Sequence, residues 1–234
     1  MSNVMLEVKD LHTAYGQSEA LHGISFDGMA NETIAIMGRN GMGKTTLFKS
    51  LMGVLPIKSG SIKVAGNDVS HDESFKRVAK GIAYVPQGRM IFPTLTVEEN
   101  IQTGLENAKS RHIPEEIYAL FPNLWERRRS HGTKMSGGEQ QMLAIARILR
   151  TGATVLLLDE PTEGLAPVIV EQIGAVIQTL KHRGFTILLV EQNSRFAQAC
   201  ADRHYIVEHG QVVDMIDAKD FDGNSDRVKA YLSV

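Results

Sequence analysis

The chain has 234 residues, 43% of them hydrophobic and 22% charged, with a formal net charge of −2. That length suits one domain, or one domain with a small subdomain, and the balance is that of an ordinary globular protein. The near-neutral charge leaves no electrostatic footprint for nucleic acid, and the single cysteine, Cys200, excludes a disulfide framework and suits a reducing compartment. Cys200 reads as a small core residue on a helix. The opening MSNVMLEVKDL alternates like a strand and carries no apolar signal segment, and no apolar run nears the ~20 residues that cross a bilayer. The expectation is a protein soluble by itself, held at a membrane only by other chains.

In chain order, residues 4–8 and 20–26 read as short strands around a polar turn, Tyr15-Gly16-Gln17-Ser18. Residues 33–37 (TIAIM) form a further strand ending in glycines, and a helix-like run follows over 46–52. After the turn Lys58-Ser59-Gly60, residues 61–65 predict an edge strand, and 82–85 a strand closed by Pro86. Helices are expected over 97–106 and 113–121, with Pro114 in the first turn of the second. The run EQQMLAIARILR (139–150) carries an apolar face at helical spacing through Met142, Leu143, Ile145, Ala146 and Leu149. Strands at 155–158 and 186–190 bracket a helix at about 167–182. A helix at about 194–201 precedes a hairpin over 206–216 that turns at His209-Gly210. Strand–helix alternation in the second half implies a parallel sheet with helices outside, and the early strands an added antiparallel layer.

Residues Gly38-Arg39-Asn40-Gly41-Met42-Gly43-Lys44-Thr45, followed by Thr46, lie between strand 33–37 and a helix. They match G-x-x-x-x-G-K-[ST], the phosphate loop known as Walker A, in the context that motif needs. Glycines let several N–H groups point at one anion, and the helix N-terminus adds its dipole. Lys44 can reach β- and γ-phosphates, and the Thr45 hydroxyl can sit on Mg2+. The strand VLLL (155–158) runs straight into Asp159 and Glu160. Two adjacent acids at a buried strand end repel and need positive charge nearby. Beside a phosphate loop, Asp159 would hold Mg2+ through its water, and Glu160 would orient or deprotonate the attacking water.

Further segments narrow the reading. Ser136-Gly137-Gly138-Glu139-Gln140-Gln141 opens a helix and resembles the signature of ATP-binding cassette (ABC) ATPases, usually LSGGQ and here MSGGE followed by QQ. Tyr15 resembles the aromatic that stacks on adenine, and Gln87 the Q-loop glutamine near the metal and the attacking water. These motifs fall in the family's order over nearly the whole chain. The resemblance implies an α/β fold: a P-loop NTPase (RecA-like) core, about 1–87 and 151–234, with an antiparallel β layer and a small helical subdomain, about 88–150. It also implies that the signature of one subunit caps the γ-phosphate held by another, so that ATP glues two ATPase chains together.

The stretches GRMIFPTLTVEENI (88–101), MSGGEQQMLAIAR (135–147), EPTEGLAP (160–167) and LLVEQN (188–193), with KAYL (229–232), resemble the shorter ATPase of importers for branched-chain amino acids and of their urea and short-amide relatives. The PQGR at 86–89 leans toward the urea type. Two positions depart from the broad family pattern. Gln192 stands where a γ-phosphate histidine is usual, and Gln cannot carry a proton or charge. Glu163-Gly164-Leu165 replaces the usual aspartate loop, with Glu163 as a candidate substitute. The resemblance implies an ATPase subunit driving solute uptake with ATP and Mg2+. It would sit on the inner face of the membrane with a second ATPase chain, identical or related, two permease subunits and, indirectly, an extracytoplasmic binding protein. Phe92, Pro93 and Leu95 would line the permease groove or pack in the core, and Arg127-Arg128-Arg129 reads as a solvated face, with contact to lipid headgroups or a membrane subunit as the alternative. A nucleotide-binding regulatory module without turnover and a non-transport ABC ATPase are the rival readings. The 49 positions from Gln87 to Ser136 leave no room for the long coiled coil of the latter.

Overall fold

The computed structural model describes residues 4–104, 112–223 and 225–232. Strand β1 (Val4–Tyr15) and strand β2 (Ser18–Met29) form a long antiparallel hairpin, and β4 (Ile57–Val64) adds to its other side. A two-residue strand, β5 (Asn67–Asp68), pairs with β4, so the segment expected at an edge is flanked on both sides. The edge expectation fails because Ala65-Gly66 turns the chain straight back onto β4, at φ of 47° and 78°. The four strands run in the order β2-β1-β4-β5.

The second sheet contains β3 (Thr33–Met37), β6 (Ile82–Val85), β7 (Val155–Asp159), β8 (Thr186–Val190), β9 (Arg203–Glu208) and β10 (Gln211–Asp217). Their order is β10-β9-β3-β8-β7-β6, parallel except for the β9–β10 hairpin. Every residue of β3, β7 and β8 is buried, which is why these strands read as unbroken aliphatic runs. Alternate residues serve opposite cores. Leu156 and Leu158 face a cluster shared with α6 (Gly137–Leu149) and α7 (Pro167–His182). Val155 and Leu157 face a cluster shared with the antiparallel sheet and α1 (Lys44–Leu51). The strands β3, β8, β7 and β6 are consecutive neighbours, so the loops leaving their C-terminal ends converge on one edge of the sheet.

Between β6 and β7 the chain forms α3 (Val97–Gln102), α4 (Glu115–Leu120) and α5 (Pro122–Glu126) before α6. Helix α3 begins on a Thr96 capping box; residues 105 and 106 of the expected helix lie outside the described residues. The helix expected over 113–121 is two short ones: Pro114 caps the first rather than entering it, Phe121 breaks the run, and Pro122 starts the second. Helix α2 (Ser74–Ala79) and helix α9 (Asp226–Leu232) are additions to the expected elements, and α8 spans Ser194–Cys200. Cys200 is buried, as expected of a core residue, and burial pushes its thiol up to about 12. Among the described residues no helix is long and apolar enough to cross a membrane.

Candidate functional site

The loop after β3 wraps the start of α1. Gly38 has φ of 147° and lies so close to β9 that a Cβ would meet the Val207 carbonyl at 2.2 Å. Gly43, at φ of 104°, caps α1 without any side-chain cap, and no acidic residue occupies the first turn. The first N–H groups of α1 therefore remain donors for an external anion. Lys44 folds under this loop and donates to the carbonyls of Gly38 at 2.6 Å and Arg39 at 2.8 Å. Burial draws its pKa down, against the opposing pull of Glu160 and Asp159. The Met42 carbonyl accepts from Gly210 N–H at 2.9 Å, which ties the loop to the β9–β10 turn.

Strand β7 delivers Asp159, 1% exposed. Its Oδ2 accepts from the Tyr84 hydroxyl at 2.9 Å, and its Oδ1 is buried without a hydrogen-bond partner. Burial raises this carboxyl, with Tyr84, Thr45 and Lys44 acting to lower it and Glu160 to raise it. Glu160 sits at φ of 48°, a left-handed conformation uncommon for a side chain of this size. Its Oε1 accepts from Gln192 Nε2 at 2.7 Å. Gln87 Nε2 reaches Glu163 Oε2 at 2.9 Å and lies 3.5 Å from Glu160 Oε2. Asn40, Gly41, Gly43, Lys44, Thr45, Thr46, Gln87, Glu160, Glu163 and Gln192 together line one cleft of about 340 Å³. Loops after four parallel strands thus deliver an anion cradle, a lysine, two carboxylates and two amides to one place.

A cation fits this place. The orphaned Asp159 Oδ1 needs a partner, and the Thr45 side chain acts on the same carboxylate. No cluster of three acidic, His or Cys side chains able to hold a metal occurs among the described residues. The donor set of one carboxylate and one hydroxyl suits Mg2+, which takes its remaining ligands from water and phosphate.

A family model described as ABC transporter matches residues 21–163. The chain belongs to the ABC transporter family. Among curated relatives, the high-affinity branched-chain amino acid transport ATP-binding protein BraG of Pseudomonas aeruginosa is 42% identical over 89% of this chain and 91% of its own. The lipopolysaccharide export system ATP-binding protein LptB of Haemophilus influenzae is 33% identical over 89% of each chain. Among solved structures, an ATP-binding cassette of an ABC transporter, MJ1267, superposes with a TM-score of 0.84 at 24% identity, covering 99% of this chain and 98% of that one. The fold is the P-loop NTPase fold of ABC cassettes, and the chain is an ATPase of this family.

In this ABC ATPase, Tyr15 ends β1 half exposed, with its hydroxyl 3.5 Å from the Thr46 hydroxyl at the mouth of the cleft. Ser136, Gly137 and Gly138 do not line that cleft. They open α6 instead, where Ser136 Oγ accepts from Glu139 N–H at 3.3 Å and Ser136 N–H donates to Glu139 Oε2 at 2.7 Å. The Arg89 guanidinium lies against Gly137, and Ile169 of α7 fills the space beside Gly138. The arginine run is not simply a solvated face. Arg127 Nη1 grips both oxygens of Glu139 at 2.8 and 2.9 Å, its Nη2 donates to the Lys134 carbonyl, and Arg128 stacks on Trp125 with its guanidinium carbon 4.0 Å from the ring centroid. Spacing alone could not show this, because the carboxylate partner is on another helix. Phe92 and Pro93 are exposed, and Leu95 is half-buried.

Two site residues escape a motif search. Glu191, 3% exposed, accepts from Thr162 Oγ1 at 2.6 Å, Thr162 N–H at 3.2 Å and Asn193 N–H at 3.3 Å. It clamps the loop carrying Glu160 to the loop carrying Gln192, and burial raises its carboxyl. The only signal in the chain is an acid following an aliphatic strand, the same pattern as at Asp159. Tyr84 has a fainter one, a phenol inside a buried strand.

Proposed function

We propose that this ABC ATPase binds MgATP in the cleft between the 38–46 loop and the ends of β6, β7 and β8, and drives solute uptake by an importer. The observation that carries the catalytic reading is the 2.7 Å contact of Gln192 with Glu160 above an open anion cradle. In this reading the backbone of Gly38, Arg39, Asn40, Gly41, Met42 and Gly43 receives the phosphates. Lys44 releases its two loop carbonyls to meet them, Tyr15 takes the adenine face, and the side chains of Thr45 and Thr46 complete the cradle. Thr45, Gln87 and Asp159 would hold a magnesium ion, which would supply neutralisation of charge on the phosphoryl oxygens. Glu160 orients the attacking water and accepts its proton, and Gln192 positions Glu160 without taking a proton itself.

The exposed Ser136 and its glycines lie outside this cleft, which supports a second ATPase chain, of the same or a related sequence, whose own signature helix would cap the nucleotide. The helical stretch over about 88–150 then stands as a subdomain beside the core of 1–87 and 151–234. Two permease subunits would hold the pair at the inner face of the membrane, and an extracytoplasmic binding protein would serve them.

For the solute, the 42% identity to BraG supports branched-chain amino acids. A second reading, urea or short amides, rests on Gln87 and Arg89 in the PQGR stretch. Uptake of labelled leucine and labelled urea in a deletion strain, with the gene restored as control, tests both. Loss of leucine uptake alone is the expected result, and loss of urea uptake alone favours the second reading. Unchanged uptake of both overturns the importer assignment for these solutes.

A further inference from the structure

Strand β6 pairs in parallel with β7 so that Tyr84 lies opposite Leu157 and Val85 opposite Leu158. Neighbouring residues of paired strands share a face, and residues two apart on one strand do as well. Tyr84, Leu157 and Asp159 therefore point to the same side, toward the cluster that contains Phe48 of α1. The Tyr84 ring stands edge-on to Phe48, with centroids 5.9 Å apart and planes at 88°. Phe48 is three residues beyond Thr45 on the same helix, so the ring is braced against the element that carries the proposed metal hydroxyl.

The phenol donates to Asp159 Oδ2 at 2.9 Å. With Oδ2 occupied, Oδ1 is the oxygen left buried without a partner. A phenylalanine would fill the same space against Phe48, so packing does not need the hydroxyl. We infer that Tyr84 is a positioning residue for the metal site: its hydroxyl holds the Asp159 carboxylate in the orientation that presents Oδ1 to the Mg2+ shell. This rests on the magnesium reading above and adds a group that no motif of the chain marks. Partners that orient a carboxylate toward a metal typically change metal affinity by about 10- to 100-fold when removed.

The test uses the full chain with Mn2+ as probe and a non-hydrolysable ATP analogue, with bound Mn2+ read by electron paramagnetic resonance. Tyr84→Phe is expected to weaken Mn2+ binding about tenfold, while analogue affinity in EDTA stays at the wild-type value and the melting temperature in EDTA falls slightly, because Asp159 Oδ2 loses its buried donor. Unchanged Mn2+ affinity overturns the assignment, as does loss of analogue affinity in EDTA, which would show that the hydroxyl serves the fold. Asp159→Asn is measured alongside: if it keeps wild-type Mn2+ affinity, the magnesium reading itself fails, a result distinct from failure of Tyr84 alone.

Discussion

Gln192 and Glu160 face each other across the cleft, the amide nitrogen 2.7 Å from a carboxylate oxygen, with Glu160 at φ of 48°. The amide hydrogen bond fixes one oxygen of the carboxylate and leaves the side chain no proton to exchange. Glu160→Gln is expected to lower ATP turnover by about a hundredfold or more, the contribution of a positioned base, while nucleotide binding persists. Steady-state turnover and analogue titration measure the two separately, and unchanged turnover would remove Glu160 from the catalytic role.

Gln192→His tests what the amide avoids. An imidazole beside Glu160 would titrate from about pH 6.5 upward, since a carboxylate partner favours its charged form. Once charged it pairs with Glu160 and weakens it as a base. The ratio of variant to wild-type turnover is therefore expected to fall as pH drops from about 8 to about 6. A pH-independent ratio would show that position 192 does not govern Glu160.

Asp159 contributes to the pH dependence of the fold at this edge. Burial raises its folded pKa above the ordinary 3.8. A carboxyl shifted this way contributes stability below its unfolded pKa, and that contribution is lost as pH rises through the folded pKa. Asn does not titrate and can still accept from Tyr84. In metal-free buffer the melting temperature of Asp159→Asn relative to wild type is thus expected to climb as pH rises above about 4. A constant difference across that range would contradict the upward shift.

Two loop glycines should behave differently. At Gly38 an alanine Cβ meets the Val207 carbonyl at 2.2 Å, whereas at Gly41 nothing lies within 4 Å and the cost is φ of 79° alone. Gly41→Ala is expected to cost about 1 kcal/mol, the left-handed penalty, and Gly38→Ala on the order of 3 kcal/mol or more, since strand β9 must move. Urea denaturation of both variants measures this, and equal losses would refute the packing of Gly38 on β9.

Arg127 and Glu139 form a bidentate pair, with side chains 39% and 16% exposed. Solvent screening limits its worth, so a double-mutant cycle is expected to give a coupling below about 1 kcal/mol that shrinks with added salt. Arg127→Lys keeps the charge and loses the fork that also reaches the Lys134 carbonyl. Its stability should fall between wild type and Arg127→Ala.

Much of the central sheet was legible because its strands are buried on both faces. TIAIM, IAYV and TILLV coincide with β3, β6 and β8 to the residue. The Pro167–His182 helix was equally plain, with proline at its first turn and an apolar face at 3.6 spacing. Strands β1 and β2 ran longer than their apolar cores suggested, because the hairpin continues through polar residues once its register is set. The split at Phe121 and the extra pairing of β4 with β5 were not legible, since each depends on a local turn rather than on periodicity. In the arginine run Arg129 is exposed as expected, but the pairing of Arg127 was not legible, because composition cannot show a partner twelve residues away.

The chain by itself determined the chemistry available: the 38–46 loop, the acids at 159 and 160, the amides at 87 and 192 and the serine–glycine turn at 136 are local patterns whose residue types fix what they can bind. Only the tertiary structure decided which of them meet. The order β3-β8-β7-β6 sets four strand ends side by side, so residues as far apart as Asn40 and Gln192 share a cleft, while Ser136 stays outside it. It also set Tyr84 against the Asp159 carboxylate, and Glu191 between the loops of Thr162 and Asn193. Hydrogen-bond partners are set by strand register and burial, and neither is written in the spacing of a single chain.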